Sequence, residues 1–336
     1  MKKRTLTASI SAAVVVIMLI SGAFPGSGEP VFADSEVAEA VAETAEEIEA
    51  EKAADAAERE ETVDATEART TEFQDMIPVV RTAHRGEAIE VAWERIEGAS
   101  GYLVYRSCGG DKKKIADTGA LSFKDRAVAS GKEVTYFVEA YNEETVSRMS
   151  QGVSDIIYRV YIETGHGRMD NGRWDPGCRW KRYQEAKLML PIARFMTKYL
   201  RANGVYVYTD ADKGNNHNLN WTLDFLSRHS VSAFVNIHCD YKKAKPGTLP
   251  LYRTEEQKKL AMELNKGVHS TVKIKDRGLK KRNDLKSLNS KTIDGTACLF
   301  ETGSIKRDNR LLRTKYDAYG KGLAKGLCSY LDISFK

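Results

Sequence analysis

Apolar positions fall into three successive rhythms along the chain. From about Ala8 to Ile20 they run almost unbroken for roughly 13 residues, short for a bilayer span and suited to the core of an export signal. Between residues 76 and 156 they alternate with polar ones, as in Ile89-Glu90-Val91-Ala92-Trp93, Tyr102-Leu103-Val104-Tyr105 and Val134-Thr135-Tyr136-Phe137-Val138. Gly98-Ala99-Ser100-Gly101, Gly109-Gly110-Asp111 and Ser130-Gly131-Lys132 punctuate these runs. About seven short strands in such a length predict a small antiparallel sandwich. From residue 157 onwards, strands and helices alternate. Strands are expected at Val160–Glu163, Val205–Tyr208, Ser232–Ile237 and Thr296–Phe300. Helices are expected at about Tyr183–Arg201, Asn218–His229, Glu255–Val272 and Asp308–Leu331, where apolar residues recur at three- and four-residue steps. This rhythm predicts an α/β domain, a mostly parallel sheet flanked by helices on both faces.

The N-terminus reads as an address. Lys2, Lys3 and Arg4 precede the apolar stretch, Pro25 and Gly26 break it, and Val31-Phe32-Ala33 places small residues where a signal peptidase cuts. Residues 1–33 are therefore expected to be a signal peptide; the alternative is an uncleaved anchor. No Cys follows the cut, and a long signal of this kind fits export from a Gram-positive bacterium. No other apolar run reaches 18 residues, so the mature chain is expected to have no membrane span. Residues 34–75, rich in Ala and Glu, have little apolar surface to bury and are expected to form an acidic linker, disordered, extended or loosely helical.

Charge sharpens this division. The 336 residues carry a net charge of +5, with 42% hydrophobic and 29% charged residues, which excludes a collagen-like, wholly disordered or multi-span chain. The sign separates along the chain. Residues 34–75 hold 16 acids and 3 bases, residues 76–156 hold 12 and 11, and residues 157–336 hold 18 acids and 35 bases. The last region is expected to meet something anionic. The five cysteines, Cys108, Cys178, Cys239, Cys298 and Cys328, are scattered and contain no Cys-x-x-Cys pair. Neither a disulfide framework nor a thiolate zinc site is expected.

Ligands of open α/β sheets bind beyond the carboxyl ends of the strands. Three expected strands end there in His166, His238 and Glu301, and Glu185 opens the first helix on the same rim. Two imidazoles and a carboxylate suit zinc with one open position, where a second carboxylate can handle a proton. On spacing alone, His and Glu at strand ends also arise by chance.

The flanking segments add to this. GHGRMDNG, YQEAKLMLPIARFM, FVNIHCD, DRGLKKRNDLKSLN and CLFETGSIKRD occur in an order that resembles the type-3 family of zinc-dependent N-acetylmuramoyl-L-alanine amidases, over nearly all of residues 158–332. The resemblance implies that His166, Glu185 and His238 bind Zn2+, that Glu301 is the general base, and that the substrate is peptidoglycan, cut between N-acetylmuramic acid and L-alanine. It implies a cell-wall location. Similarly, VAWERIEGASGYLVYRS followed by GKEVTYFVEAYN resembles a fibronectin type III module, with Trp93 in its core and Tyr136 as a corner tyrosine. Its expected role is spacing or docking.

The chain departs from the amidase pattern at Cys239-Asp240 after the second His and at Thr209-Asp210 after the second strand. Glu163 and Asp170 are candidates to fix the His166 tautomer. Arg277 is a candidate for a substrate carboxylate or a structural ion pair. Cys239 and Cys298 are read as packing residues. His217 and His229 sit near helix ends, as does His269, and His84 in the first strand of the sandwich or the linker before it. Anionic wall polymers are expected partners of the basic domain. Nucleic acid is a poor rival, since no motif for it is present. A monomer is expected. Two alternatives to the amidase stay open: a wall-binding protein that does not cut, and a different zinc peptidase acting on wall peptides.

Overall fold

The computed structural model describes residues 35–169, 171–214, 218–289 and 293–336. The expected signal peptide therefore lies outside the described residues, as do Asp170 and His217. The chain divides into two compact units, one up to Asp75 and one from Met76 to Lys336. Among the described residues no helix is long and apolar enough to cross a membrane.

The first unit holds α1 (Ser35–Asp75), a continuous helix of 41 residues where a disordered, extended or loosely helical linker was expected. The helix has a simple cause. Low apolar content prevents a core from forming, but a helix needs none to pair its backbone. The stretch contains neither Gly nor Pro and is dominated by Ala and Glu, two of the better helix formers. Nearly all its described side chains are exposed.

The second unit begins with seven strands: β1 (Val80–Arg85), β2 (Ala88–Trp93), β3 (Gly101–Ser107), β4 (Lys113–Thr118), β5 (Ser122–Asp125), β6 (Glu133–Tyr141) and β7 (Val153–Ile156). They form two antiparallel sheets, in the orders β1-β2-β5 and β4-β3-β6-β7. Ile89, Val91 and Trp93 of β2 are buried, as are Tyr102 and Val104 of β3 and Val134, Tyr136 and Val138 of β6. These are the alternate positions of the sequence pattern. The Tyr136 hydroxyl donates to Asp125 rather than to backbone, at 3.0 Å, and Asp125 also pairs with Arg106.

The α/β part follows with β8 (Arg159–Thr164), the short strands β9 (Gly167–Arg168), β10 (Trp174–Asp175), β11 (Arg179–Trp180) and β12 (Tyr183–Gln184), then α2 (Glu185–Ala202) and β13 (Tyr206–Thr209). Next come α3 (Leu219–Arg228), β14 (Ala233–Asp240), β15 (Leu249–Tyr252), α4 (Glu255–His269) and β16 (Lys280–Lys281). A 3-10 turn (Lys286–Leu288), β17 (Thr296–Ser304), α5 (Asn309–Thr314) and α6 (Tyr316–Tyr330) complete it. The sheet order is β13-β8-β14-β17-β15-β16. The first four strands are parallel, and β15 runs antiparallel to β17, so the sheet is mixed rather than uniformly parallel. On β8 and β14, Val160, Ile162, Val235 and Ile237 enter the core shared with α2, α4 and α6, while Tyr161 and Phe234 enter a second core with Leu226 of α3. Strands covered on both faces read as unbroken apolar runs.

The sandwich and the α/β part are joined by polar contacts. The buried Arg159 guanidinium donates to the carbonyls of Glu87 and Val128, at 2.6–2.8 Å. The Tyr208 hydroxyl donates to Glu87 at 2.7 Å, and the Ser130 and Ser232 hydroxyls lie 2.7 Å apart.

Candidate metal centre

Register along the parallel strands brings the candidate residues to one rim. Cα partners pair His238 with Glu301 across β14 and β17, and Ile237 with Thr164 across β14 and β8. His166 follows β8 by two residues, and Glu185 is the first residue of α2. His166, Glu185 and His238 each offer a donor atom, and these atoms lie within 4.8 Å of one another. His238 Nδ1 is 2.8 Å from Glu185 Oε1, and His166 Nε2 is 3.3 Å from Glu185 Oε2. The two rings stand edge to face with centroids 5.1 Å apart.

The backbone is shaped around this group. His166 has φ 66°, a left-handed conformation that a residue with a Cβ adopts only under constraint. A Cβ on Gly165 would overlap the His238 ring. At Gly177, with φ +63°, it would come within 2.5 Å of His166 Cδ2 and 2.6 Å of Glu185 Oε2. The Glu185 carboxylate accepts from the amides of Cys178 and Cys239 at 2.9 and 3.1 Å. Burial pushes its pKa up, but the His238 hydrogen bond and the charges of both imidazoles outweigh that and hold it below the usual glutamate value.

Glu301 is different in character. Burial, reinforced by the negative charges of Glu185 and Asp240, pushes its pKa up to about 8. Its Oε2 is sealed from solvent and has no hydrogen-bond partner among the described residues. It therefore stands apart from the three-donor group as a carboxyl able to hold a proton near neutral pH.

The partner that orients His166 is Asp175, which lies 2.8 Å from Nδ1. With the Nδ1 proton given to Asp175, Nε2 keeps its lone pair for a metal. The sequence reading missed this residue, although Asp175-Pro176-Gly177 is a turn signal beside the GHG segment. Glu163, a candidate for the task, is fully buried and instead accepts from Thr222 at 2.6 Å. Arg277 forms an ion pair with Asp240 at 2.8 Å. The buried Asp210 carboxylate accepts from the amide and hydroxyl of Thr164, which secures the end of β8.

Cys239 is buried, and Cys298 with it. Cys239 Sγ lies 3.9 Å from Cys178 Sγ, and with Glu185 they form a second three-donor group. Their separation of 61 residues concealed this pairing in the sequence. His229 Nδ1 donates to the Phe225 carbonyl at the end of α3. His269 Nε2 lies 3.0 Å from the Thr248 hydroxyl, and His84 pairs with Asp155. A cleft of about 290 Å³ opens beside His166 and His238, lined also by Glu163, Asn236, Asn218 and Lys286.

Two imidazoles and a carboxylate gathered at one rim of an α/β sheet form a donor set that could hold a metal ion. The family described as N-acetylmuramoyl-L-alanine amidase matches residues 160–330. This is about half the chain and almost all of the α/β part, and the chain belongs to that family. Several solved structures are similar. The N-acetylmuramoyl-L-alanine amidase AmiC2 of Nostoc punctiforme is 24% identical, with TM-score 0.46, covering 52% of this chain and 97% of its own. The catalytic domain of the amidase CwlV from Bacillus (Paenibacillus) polymyxa var. colistinus is 20% identical, with TM-score 0.47, covering 53% and 100%. An N-acetylmuramoyl-L-alanine amidase from Clostridium difficile 630 is 25% identical, with TM-score 0.43, covering 52% and 97%. A search of curated proteins finds no match.

Proposed function

We propose that this protein is an exported zinc amidase that cleaves peptidoglycan between N-acetylmuramic acid and L-alanine. The observation that carries the reading is the gathering of His166, Glu185 and His238 around one point, inside the region that matches the family. The donor set fits zinc: two nitrogens and one carboxylate oxygen, with the Asp175 contact leaving His166 Nε2 available. His166 through Nε2, His238 through Nδ1 and the Glu185 carboxylate would hold the ion. When bound, zinc supplies Lewis-acid polarisation of an amide carbonyl and makes a nearby water more acidic. The Glu301 carboxylate takes the proton from the attacking water and delivers it to the departing amine of L-alanine. Its desolvated setting keeps its basicity high enough for both transfers.

The same reading covers the rest of the chain. Residues 1–33 act as a signal peptide of a Gram-positive bacterium. The sandwich at 76–156 is a fibronectin type III-like module, a reading supported by its strand order and by Trp93 packed on Tyr102 at 5.4 Å. The enzyme acts as a monomer at the cell wall. The test is mass spectrometry of purified walls digested by the zinc-loaded protein. Released stem peptides bearing a free L-alanine amino terminus are expected. Shortened stems still attached to glycan would instead assign a carboxypeptidase. An undigested wall would leave a binding protein.

A further inference from the structure

The tip of the β11–β12 hairpin and the helix α5 enclose a cleft of about 410 Å³, separate from the one beside the two histidines. Its walls are Trp180, Lys181, Arg182 and Tyr183 from the hairpin, and Asn309 and Arg313 from the helix. Trp180 and Tyr183 are cross-strand partners with stacked rings, centroids 6.0 Å apart. Lys181 Nζ lies 5.0 Å from the Trp180 ring centre, and Arg182 and Arg313 approach the Tyr183 ring at 5.3 and 5.0 Å. Aromatic faces hold cations in place without neutralising them.

These three cations differ from several others on the domain. Arg201, Arg277, Arg282, Lys259 and Lys266 each have a carboxylate partner. Among the described residues, none lies within ion-pairing distance of Lys181, Arg182 or Arg313. The turn that presents them is strained. Lys181 has φ 51°, a conformation that two-residue hairpin turns usually give to Asn or Gly. The hairpin is also tied to the metal centre. At its base the Glu185 amide donates to the Cys178 carbonyl, and the Cys178 amide donates to Glu185 Oε2. At a strand rise of about 3.3 Å per residue, Tyr183 sits roughly 7 Å along the chain from Glu185.

We infer that this cleft is an oxyanion subsite, in which Arg182 and Arg313 grip a carboxylate or phosphate of the polymer being cut, with Lys181 adding charge. Guanidinium groups suit these planar or tetrahedral anions, since each can give paired hydrogen bonds. The anion has two sources in a bacterial wall: stem-peptide carboxylates and the phosphodiesters of attached polymers. The choice of wall as ligand rests on the proposed function; the anion subsite itself does not.

The test is sedimentation of the full zinc-loaded chain with purified Gram-positive walls. The Arg182→Ala/Arg313→Ala pair is expected to bind about tenfold more weakly than the parent, and the Arg182→Lys/Arg313→Lys pair to recover part of the loss. Lys321→Ala/Lys325→Ala removes equal charge from α6 and is expected to change binding by less than about twofold. Walls stripped of phosphate polymers distinguish the sources. If the advantage of the parent over the alanine pair persists on stripped walls, carboxylates fill the cleft; if it vanishes, phosphates do. Equal weakening by the α6 pair and the cleft pair would overturn the inference, because net charge alone would then account for binding. Stem-peptide release measured on the same samples reports separately on the amidase reading.

Discussion

At the scale of single residues, orientation matters as much as identity. His166 sits in a left-handed conformation with Nδ1 against Asp175, between two glycines that leave room for the rings. Asp175→Ala should lower zinc affinity by about 10–100-fold, measured by competition with a chelator, with little change in thermal stability of the metal-free chain. Gly177→Ala should abolish zinc binding, because the new methyl would occupy space between His166 and Glu185. Buried Glu163 supplies a pH prediction. Burial, assisted by the charge of Asp210, raises its pKa well above the ordinary value despite the bond from Thr222. An acid with a raised folded-state pKa binds more protons folded than unfolded, so its contribution to stability falls as pH rises above about 4.5. Glu163→Gln should therefore raise the thermal midpoint more at pH 8 than at pH 5; an equal shift at both would contradict this. The grouping of His166, Glu185 and His238 was legible from the carboxyl-end rule for parallel strands together with the family-like segments around each residue, since position alone was a weak signal. Asp175 and the Cys178–Cys239 contact were not, since they depend on how a loop of two-residue strands folds back, and such strands carry no periodicity.

At the scale of elements, long patterned segments were the readable ones. The expected helix at Tyr183–Arg201 is observed as Glu185–Ala202, and the strand at Ser232–Ile237 as Ala233–Asp240. β15 and β16, at the sheet edge, escaped because four and two residues are too few to show alternation. The final helix, expected as one piece, breaks at Lys315 into α5 and α6. Arg159, at the start of β8, carries the polar junction between sandwich and α/β part. Arg159→Ala leaves the Glu87 and Val128 carbonyls without partners in a buried setting, and should cost about 3 kcal/mol in denaturant unfolding. A loss below about 0.5 kcal/mol would mean that the junction contributes little.

At the scale of the whole molecule, the separation of charge sets the behaviour. Most of the positive charge lies in the α/β part, so its encounter with an anionic wall should weaken with salt, while cleavage of a small soluble muropeptide should change far less. Parallel loss on both substrates would locate the salt effect in the site itself. The central claim is that three side chains hold one zinc ion while Glu301 moves the proton without holding the metal. The most direct measurement is zinc content and stem-peptide release on one preparation of Glu301→Ala. The account predicts about one zinc per chain, as in the parent, with turnover reduced by about 10²–10⁴-fold. Zinc lost together with activity would make Glu301 a ligand and contradict it.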